Sequence, residues 1–167
     1  MLPLHHGAVH GGAEVIQALL EAGADPNKPD SAGRLPLHWT ATKGHVQASR
    51  RLIEAGAKVV GGDSEGFTPL HRCCQEEPGP AKAREEEEEE EDRARLDKNK
   101  AEVARLLLSR GGDVAAREAR GQQTPLHLAA MNGLSEVTAA LLEAGGDPSA
   151  VNKVRTSQLA ISDPVTR

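Results

Sequence analysis

The tripeptide Pro-Leu-His recurs along this chain of 167 residues, and its spacing constrains the fold more than any other feature. It occupies residues 3–5, 36–38, 69–71 and 125–127. The first two intervals are 33 residues each, whereas the last is 56, which exceeds that period by 23. A fixed period of this length indicates stacked structural repeats, because a single unit of this size cannot bury its own apolar face.

A second signature follows each copy of the tripeptide, an apolar pair and then a glycine. It reads ALLEAGADPN at 18–27, RLIEAGAKVV at 51–60, RLLLSRGGDV at 105–114 and ALLEAGGDPS at 140–149. Each unit is predicted to contain two short helices, the first beginning at the proline of the tripeptide and ending near a glycine. Asp, Pro, Asn and Gly between units predict turn-rich hairpins that join them.

Residues 124–150, TPLHLAAMNGLSEVTAALLEAGGDPSA, resemble an ankyrin repeat, which has this period and a T-P-L-H signature. The resemblance implies an all-α solenoid of about four helix-turn-helix units with connecting hairpin loops and one charged insertion. On this register the chain divides into five segments: repeat 1 (1–34, N-terminally truncated), repeat 2 (35–67), repeat 3 (68–123), repeat 4 (124–156) and the degenerate start of a fifth repeat (157–167).

Repeat 3 is enlarged by an acidic, low-complexity insertion at residues 76–97, between its two predicted helices. The insertion holds eleven acidic and four basic residues, a net charge of −7. Because the whole chain carries −5, the remainder carries only +2, and no basic field covers it. This charge distribution argues against nucleic acid as the partner.

The sequence of the insertion is compatible with two conformations. Glu, Ala, Arg and Lys from Ala81 onward are good helix formers, and Glu89 and Arg93 are favourably oriented four residues apart. These features favour an N-terminal extension of the second helix, whereas seven adjacent glutamates repel one another and favour disorder. In the resembling family the fingers and first helices line a concave surface and the turn between the two helices lies on the far edge, so the resemblance implies that the insertion projects away from the concave surface in either conformation. Its deletion is therefore predicted to leave the thermal midpoint nearly intact.

No residue pattern of an enzyme occurs in the chain: it has no GxSxG, phosphate loop, HExxH or Cys–His framework. The motif histidines fall in different units and form a column along the stack: His5, His38, His71 and His127. In the resembling family this histidine hydrogen-bonds locally and orders the hairpin. His6 and His10 are four residues apart but lack further ligands nearby, so they are interpreted as a surface pair. We predict no catalytic residue, no metal and no cofactor.

The only cysteines, Cys73 and Cys74, are adjacent and occupy positions that are small in other units. They are expected to pack as small apolar residues, since neighbouring cysteines rarely form a relaxed disulfide. Free thiols favour a reducing intracellular compartment, cytoplasmic or nuclear. No apolar run is long enough to span a membrane, so we expect no membrane insertion, and a monomer is predicted.

The resemblance implies a non-catalytic protein–protein interaction module, a scaffold or adaptor whose hairpin fingers and inner helices line a concave surface. An alternative is a regulatory or targeting domain fragment of a larger multidomain enzyme or channel. The candidate partner-binding residues are those that the packing of the repeat constrains least: Asp30, Ser31, Arg34, Trp39, Thr42, Lys43, Ser64, Glu65, Phe67, Arg117, Glu118, Arg120, Gln123 and Asn132.

Three of these candidates, Arg34, Phe67 and Arg120, are the first choices, because arginine and aromatic side chains commonly anchor interfaces. Two aromatic residues also have structural interpretations. Trp39 could fill space between units instead of meeting a partner, and Phe67 could pack along the fingers.

Overall fold

The computed structural model describes residues 1–75 and 86–153. Within these ranges the chain forms eight helices and no strand, which confirms the all-α prediction. The helices are α1 (Pro3–His10), α2 (Ala13–Glu21), α3 (Pro36–Lys43), α4 (Val46–Glu54), α5 (Pro69–Cys73), α6 (Glu86–Ser109), α7 (Pro125–Met131) and α8 (Ser135–Glu143).

The helices pack as four consecutive pairs in two rows. The inner row consists of α1, α3, α5 and α7, each packed against the next, and the outer row consists of α2, α4, α6 and α8. A buried leucine at the start of every inner helix belongs to the core between the rows: Leu4, Leu37, Leu70 and Leu126. Each unit therefore buries its apolar side chains against its neighbours, as the repeat period predicts.

The ends of the inner helices follow the sequence signals. Each inner helix begins at the proline of the tripeptide, where a missing N–H costs nothing. Helices α1 and α3 end at Gly11 and Gly44, whose φ angles of 71° and 68° lie in the left-handed region that favours glycine. A Cβ at Gly11 would also lie 2.6 Å from the His45 ring, so this position excludes a side chain for steric reasons too.

Cys73 and Cys74 are fully buried free thiols inside the core, which confirms that they pack as small apolar residues. Burial raises the pKa of Cys73 to about 12, and it also raises the pKa of Cys74. Both sulfurs therefore stay protonated at neutral pH, and a protonated thiol is a poor nucleophile.

Helix α6 includes the second helix of repeat 3 together with part of the acidic insertion. Ser135, where α8 begins, aligns with Ala101, so residues 86–100 are an N-terminal extension that the other outer helices lack. The helical interpretation of the insertion is confirmed for residues 86–97. The rest of it, residues 76–85, lies outside the described residues, as does the predicted fifth start at 157–167.

The last turn of the insertion packs on the body of the solenoid. The Asp97 carboxylate is 6% exposed and accepts hydrogen bonds at the start of α8, from the backbone N–H of Glu136 at 2.9 Å and of Val137 at 3.2 Å. One turn earlier, Arg93 donates to the carbonyl of Asn132 at 3.0 Å. The expectation that the whole insertion projects from the edge is therefore wrong for these residues.

Two side chains complete the end of α5, which stops without the left-handed glycine of α1 and α3. Lys100 is 1% exposed, and its Nζ donates to the carbonyl of Gln75. The Asn132 amide donates to the carbonyl of Cys74 at 2.8 Å. The carbonyls of Cys74 and Gln75, just before the insertion, thus accept hydrogen bonds from side chains later in the chain.

Candidate functional site

The finger loops between units are each organised around a buried acidic side chain. Asp30 Oδ1 accepts from the N–H groups of Ala32 and Arg34, both at 2.9 Å. Asp63 holds the next finger in the same way, accepting from the Phe67 N–H at 3.1 Å. Burial alone would raise the pKa of Asp30, but the hydrogen bonds from Arg34 and Ala32 hold it below its ordinary value. An ionised Asp30 carboxylate therefore fixes the base of the first finger, and the Asp63 carboxylate accepts equivalent hydrogen bonds in the second.

The third finger is one residue longer, and a glutamate replaces the aspartate. Glu118 Oε1 accepts from the N–H groups of Gly121 at 2.6 Å and Gln123 at 3.0 Å, and Oε2 accepts from Arg120 at 2.6 Å. The Glu118 N–H closes the loop onto the Gln123 carbonyl, five residues away instead of four. Burial alone would raise the pKa of Glu118, but these three N–H groups lower it. The Glu118 side chain, one methylene longer than aspartate, thus spans a loop that is one residue longer.

Shortening the Glu118 side chain tests whether its length matches the length of the loop. We expect Glu118→Asp to lower the free energy of unfolding by about 1 kcal/mol, because the shorter carboxylate cannot reach all three N–H groups. Deleting Gln122, which adopts a φ of 55°, from that variant restores the four-residue spacing of the Asp30 finger and should recover most of the loss. Denaturant titration followed by circular dichroism measures both changes. An unchanged midpoint for Glu118→Asp contradicts this account.

The motif histidines connect each unit to the next finger. The Nε2 atoms of His5, His38 and His71 lie 3.0–3.1 Å from the backbone carbonyls of Arg34, Phe67 and Gln123, respectively. The motif histidine was predicted to order the hairpin locally. These bonds show that it also contacts the following unit. Neighbouring fingers are also joined by backbone hydrogen bonds, for example from Ser64 N–H to the Ala32 carbonyl at 3.0 Å.

The two hydrogen bonds of His38 define its tautomer. Its Nδ1 accepts from the Leu35 N–H at 3.0 Å, so Nε2 carries the proton that it donates to the Phe67 carbonyl. Burial lowers the pKa of His38 to about 4, despite the opposing charge of Asp63. The ring is therefore neutral at physiological pH, and protonation of Nδ1 would break the bond to Leu35.

Units two and three carry the same cation–π pair with the residues exchanged. The Arg34 guanidinium carbon lies 4.1 Å from the centroid of the Trp39 ring. Thirty-three residues later, Phe67 occupies the finger position and Arg72 the helix position, with 4.6 Å between guanidinium carbon and ring centroid. Each pair bridges a finger and the inner helix that follows it, which fixes the finger relative to that helix.

The predicted partner-binding residues differ in how far they are exposed. Four are exposed finger residues: Ser31, Ser64, Arg117 and Arg120. Nine are half-buried: Asp30, Arg34, Trp39, Thr42, Lys43, Glu65, Phe67, Gln123 and Asn132. Glu118 is buried. Only part of the predicted set is therefore accessible on the surface.

For three of the candidates, the polar end of the side chain serves the fold directly. Glu118 and the Asp30 side chain, which is 1% exposed, hold the fingers, and the Asn132 amide completes α5. The assumption that repeat packing leaves these three unconstrained is wrong. Phe67 is half-buried against the core, with its ring 5.9 Å from the His71 ring in an edge-on arrangement. The structural interpretation of Phe67 is therefore the better supported one.

Sequence reasoning missed Arg72, the most extensively bonded arginine of this surface. Its guanidinium contacts Asp63, Glu65 and the Gln75 side chain. The signal was present in the sequence, because Arg72 and Phe67 lie 33 residues after Trp39 and Arg34. Comparing the two units position by position would have predicted the pair.

A broad groove on the last described unit is lined by Leu126, Met131, Leu142 and Val151. In inner units the same side of the pair is covered by the next unit: Leu70, which corresponds to Leu126, is 1% exposed. The groove is therefore a stacking face of the repeat rather than a ligand pocket shaped by polar groups.

The described part of the chain contains no metal-binding cluster. Among residues 1–75 and 86–153, no three His, Cys, Asp or Glu side chains lie close enough to hold a metal ion. His6 and His10 are both exposed on α1. None of the described helices is long and apolar enough to cross a bilayer.

Paired helices in two rows, with hydrogen-bonded fingers between successive units, define a helical repeat solenoid. Comparison with protein families identifies the repeat. A model of three ankyrin repeat copies matches residues 3–83, and a single-repeat model matches 121–153. The chain belongs to the ankyrin repeat family. Comparison with curated proteins gave no match. Ankyrin repeats are generally protein–protein interaction modules and are typically non-catalytic.

Proposed function

We propose that this protein is a non-catalytic scaffold or adaptor that binds another protein through its fingers and inner helices. The observation that carries the proposal is the combination of fixed finger bases and exposed finger tips. Asp30 and Asp63 anchor successive fingers from below, while Ser31 and Ser64, the next residues, are exposed. A loop that is ordered before binding loses less conformational entropy on association.

Further features of the proposal rest on charge and thiol chemistry. Outside the insertion the chain carries a net charge of only +2, which supports a protein partner over nucleic acid. The free thiols Cys73 and Cys74 support an intracellular location, cytoplasmic or nuclear. We propose that the chain acts as a monomer with no cofactor.

Substitution of two finger tips tests where the partner binds. Ser31 and Ser64 are equivalent positions of adjacent fingers, and replacing both with arginine places two long charged side chains on the concave rim. We expect proteins captured from a cell extract by the wild-type chain to bind this variant at least about tenfold more weakly. Quantitative mass spectrometry of the captured proteins, followed by titration of each one, measures the loss.

A matched control carries the same added charge on the outer row, by replacing Gln47 in α4 and Ala139 in α8 with arginine. This control should bind like the wild type, and both variants should keep the wild-type thermal midpoint. If the outer-row variant loses binding while the finger variant keeps it, the partner binds the outer row and the proposal is wrong.

A further inference from the structure

Arg34 is held at two points, yet most of its guanidinium donors have no partner among the described residues. Its Nε donates to Asp30 Oδ2 at 3.0 Å, and the group lies over the Trp39 ring at 4.1 Å. Trp39 is itself fixed by a hydrogen bond from Nε1 to Asp30 Oδ2 at 3.3 Å. The Arg34 side chain is 30% exposed, and no described residue accepts a hydrogen bond from either of its terminal NH2 groups. A planar donor fork is therefore oriented before any ligand arrives.

Arg72, at the exchanged position of the next unit, shows the opposite arrangement. Its Nε and Nη2 contact Asp63, Nη1 donates to the Gln75 side chain at 2.8 Å, and Nη2 lies 3.6 Å from Glu65. All three nitrogens are thus in use, and its side chain is only 17% exposed. With the same cation–π geometry, the Arg72 guanidinium in unit three is fully hydrogen-bonded, whereas the terminal NH2 groups of Arg34 in unit two have no acceptor among the described residues.

The remaining finger arginines lack this combination of fixed geometry and unused donors. Arg117 donates through Nη1 to the carbonyls of Gln122 and Val151, so its head group serves the finger itself. The Arg120 side chain is 81% exposed, and within residues 1–75 and 86–153 its guanidinium pairs only with Glu65, at 3.2 Å. Holding a long exposed side chain in one geometry costs conformational entropy on binding, so Arg120 is the weaker receptor.

We propose that Arg34 and Trp39 form a subsite for an anionic side chain on the bound protein, either a carboxylate or a phosphorylated residue. The proposal rests on the proposed function and adds the chemistry of the partner. Two parallel N–H donors of a fixed guanidinium match two oxygens of a carboxylate or phosphate. Because Asp30 and the Trp39 ring already orient the group, the anion gains a charged hydrogen-bonding partner at little additional entropic cost.

A peptide selection tests the proposal even while the partner is unidentified. Random 12-residue peptides displayed on phage are selected against the immobilised 167-residue chain, and the enriched sequences are synthesised for fluorescence titration. We expect a recurrent Asp or Glu, whose replacement by Asn or Gln weakens binding to the wild-type chain at least about tenfold. Replacing the same residue with phosphoserine separates the two anions, because tighter binding of that peptide identifies phosphate as the preferred group.

Chain variants then locate the subsite. Arg34→Gln should remove the preference for the acidic over the amide peptide, and Arg34→Lys should retain only part of it because the fork is lost. The matched control is Arg51→Gln, which removes the same charge from α4, where Arg51 is 51% exposed and pairs with Glu54 at 3.7 Å. Circular dichroism of each variant confirms that it folds, and the substitutions within the peptide need no chain variant at all.

The outcomes distinguish failure of the anion subsite from failure of the proposed adaptor function. One outcome is a set of peptides whose binding is lost in the Ser31→Arg, Ser64→Arg variant but is the same for the acidic and amide peptides and the same for wild type and Arg34→Gln. That outcome overturns the anion subsite and leaves the adaptor function standing. If every selected peptide ignores the finger substitutions, the adaptor surface itself is wrong and the subsite falls with it. Acid-dependent binding that Arg51→Gln abolishes as strongly as Arg34→Gln also overturns the subsite.

Discussion

Asp97→Ala is expected to lower the free energy of unfolding by about 2–3 kcal/mol, a large effect for one residue of a low-complexity insertion. The Asp97 carboxylate accepts from two backbone N–H groups at the start of α8 and lies 3.2 Å from the Ser135 hydroxyl. Leu134, at the N-cap position of α8, has no side-chain acceptor to replace it. Removal of Asp97 leaves these N–H groups without an acceptor beside Val137, which is fully buried.

Asp92→Ala is the matched control, because it removes the same charge from the same helix. Asp92 pairs with Arg95 at 2.6 Å, but their side chains are 50% and 76% exposed, respectively. We expect this substitution to change stability by less than roughly 0.5 kcal/mol. Denaturant titration compares the two variants, and hydrogen exchange at the Glu136 and Val137 amides shows whether α8 opens first. Equal stability of Asp97→Ala and Asp92→Ala would show that Asp97 does not cap α8.

The insertion illustrates why part of this structure was beyond prediction from the sequence. Its position between two helices followed from the repeat register, whereas the sequence left both a helical and a disordered conformation open for it. The role of Asp97 did not, because its partners in α8 are 39 and 40 residues away and no local pattern connects them. The expectation that residues 76–97 can be deleted without loss therefore has to be revised, since the deletion would remove the cap.

The candidate site was likewise only partly predictable from the sequence. The 33-residue register placed Arg34 and Phe67 at equivalent finger positions, and the structure pairs each with the residue five positions later. Glu118, in contrast, looks from the sequence like one more charged loop residue. Its burial results from a finger one residue longer than the others, closed by a side chain one methylene longer. The sequence shows loop length and residue type separately, but only the folded loop shows that they compensate.

We also expect the protein to lose about 2 kcal/mol of unfolding free energy between pH 7.5 and pH 5 through His38. The pKa of His38 is lowered by burial from an ordinary value of 6.5 to about 4 in the folded chain. Below the unfolded value the unfolded chain binds more protons than the folded one, so stability falls as the pH decreases from 6.5 towards 4. Burial also lowers the pKa of His71, which adds to the same trend.

The window from pH 7.5 to pH 5 isolates the histidines from the carboxylates. Asp30 and Glu118 have pKa values below their ordinary values of 3.8 and 4.5, so the stability that they contribute is lost only at lower pH. Denaturant titrations at half-unit pH intervals give the slope. His38→Gln tests its origin, because an amide can accept from Leu35 and donate to Phe67 but does not titrate in this range.

His38→Gln should therefore flatten the pH dependence even if it lowers stability at pH 7.5, whereas His6→Gln should leave the slope unchanged. His6 is the matched control because its imidazole is exposed on α1. Protonation of His38 at acid pH breaks the bond that Nδ1 accepts from the Leu35 N–H at the start of its own helix, whereas Nε2 still donates to the Phe67 carbonyl of the following finger. A slope that survives His38→Gln would show that it arises from groups other than His38.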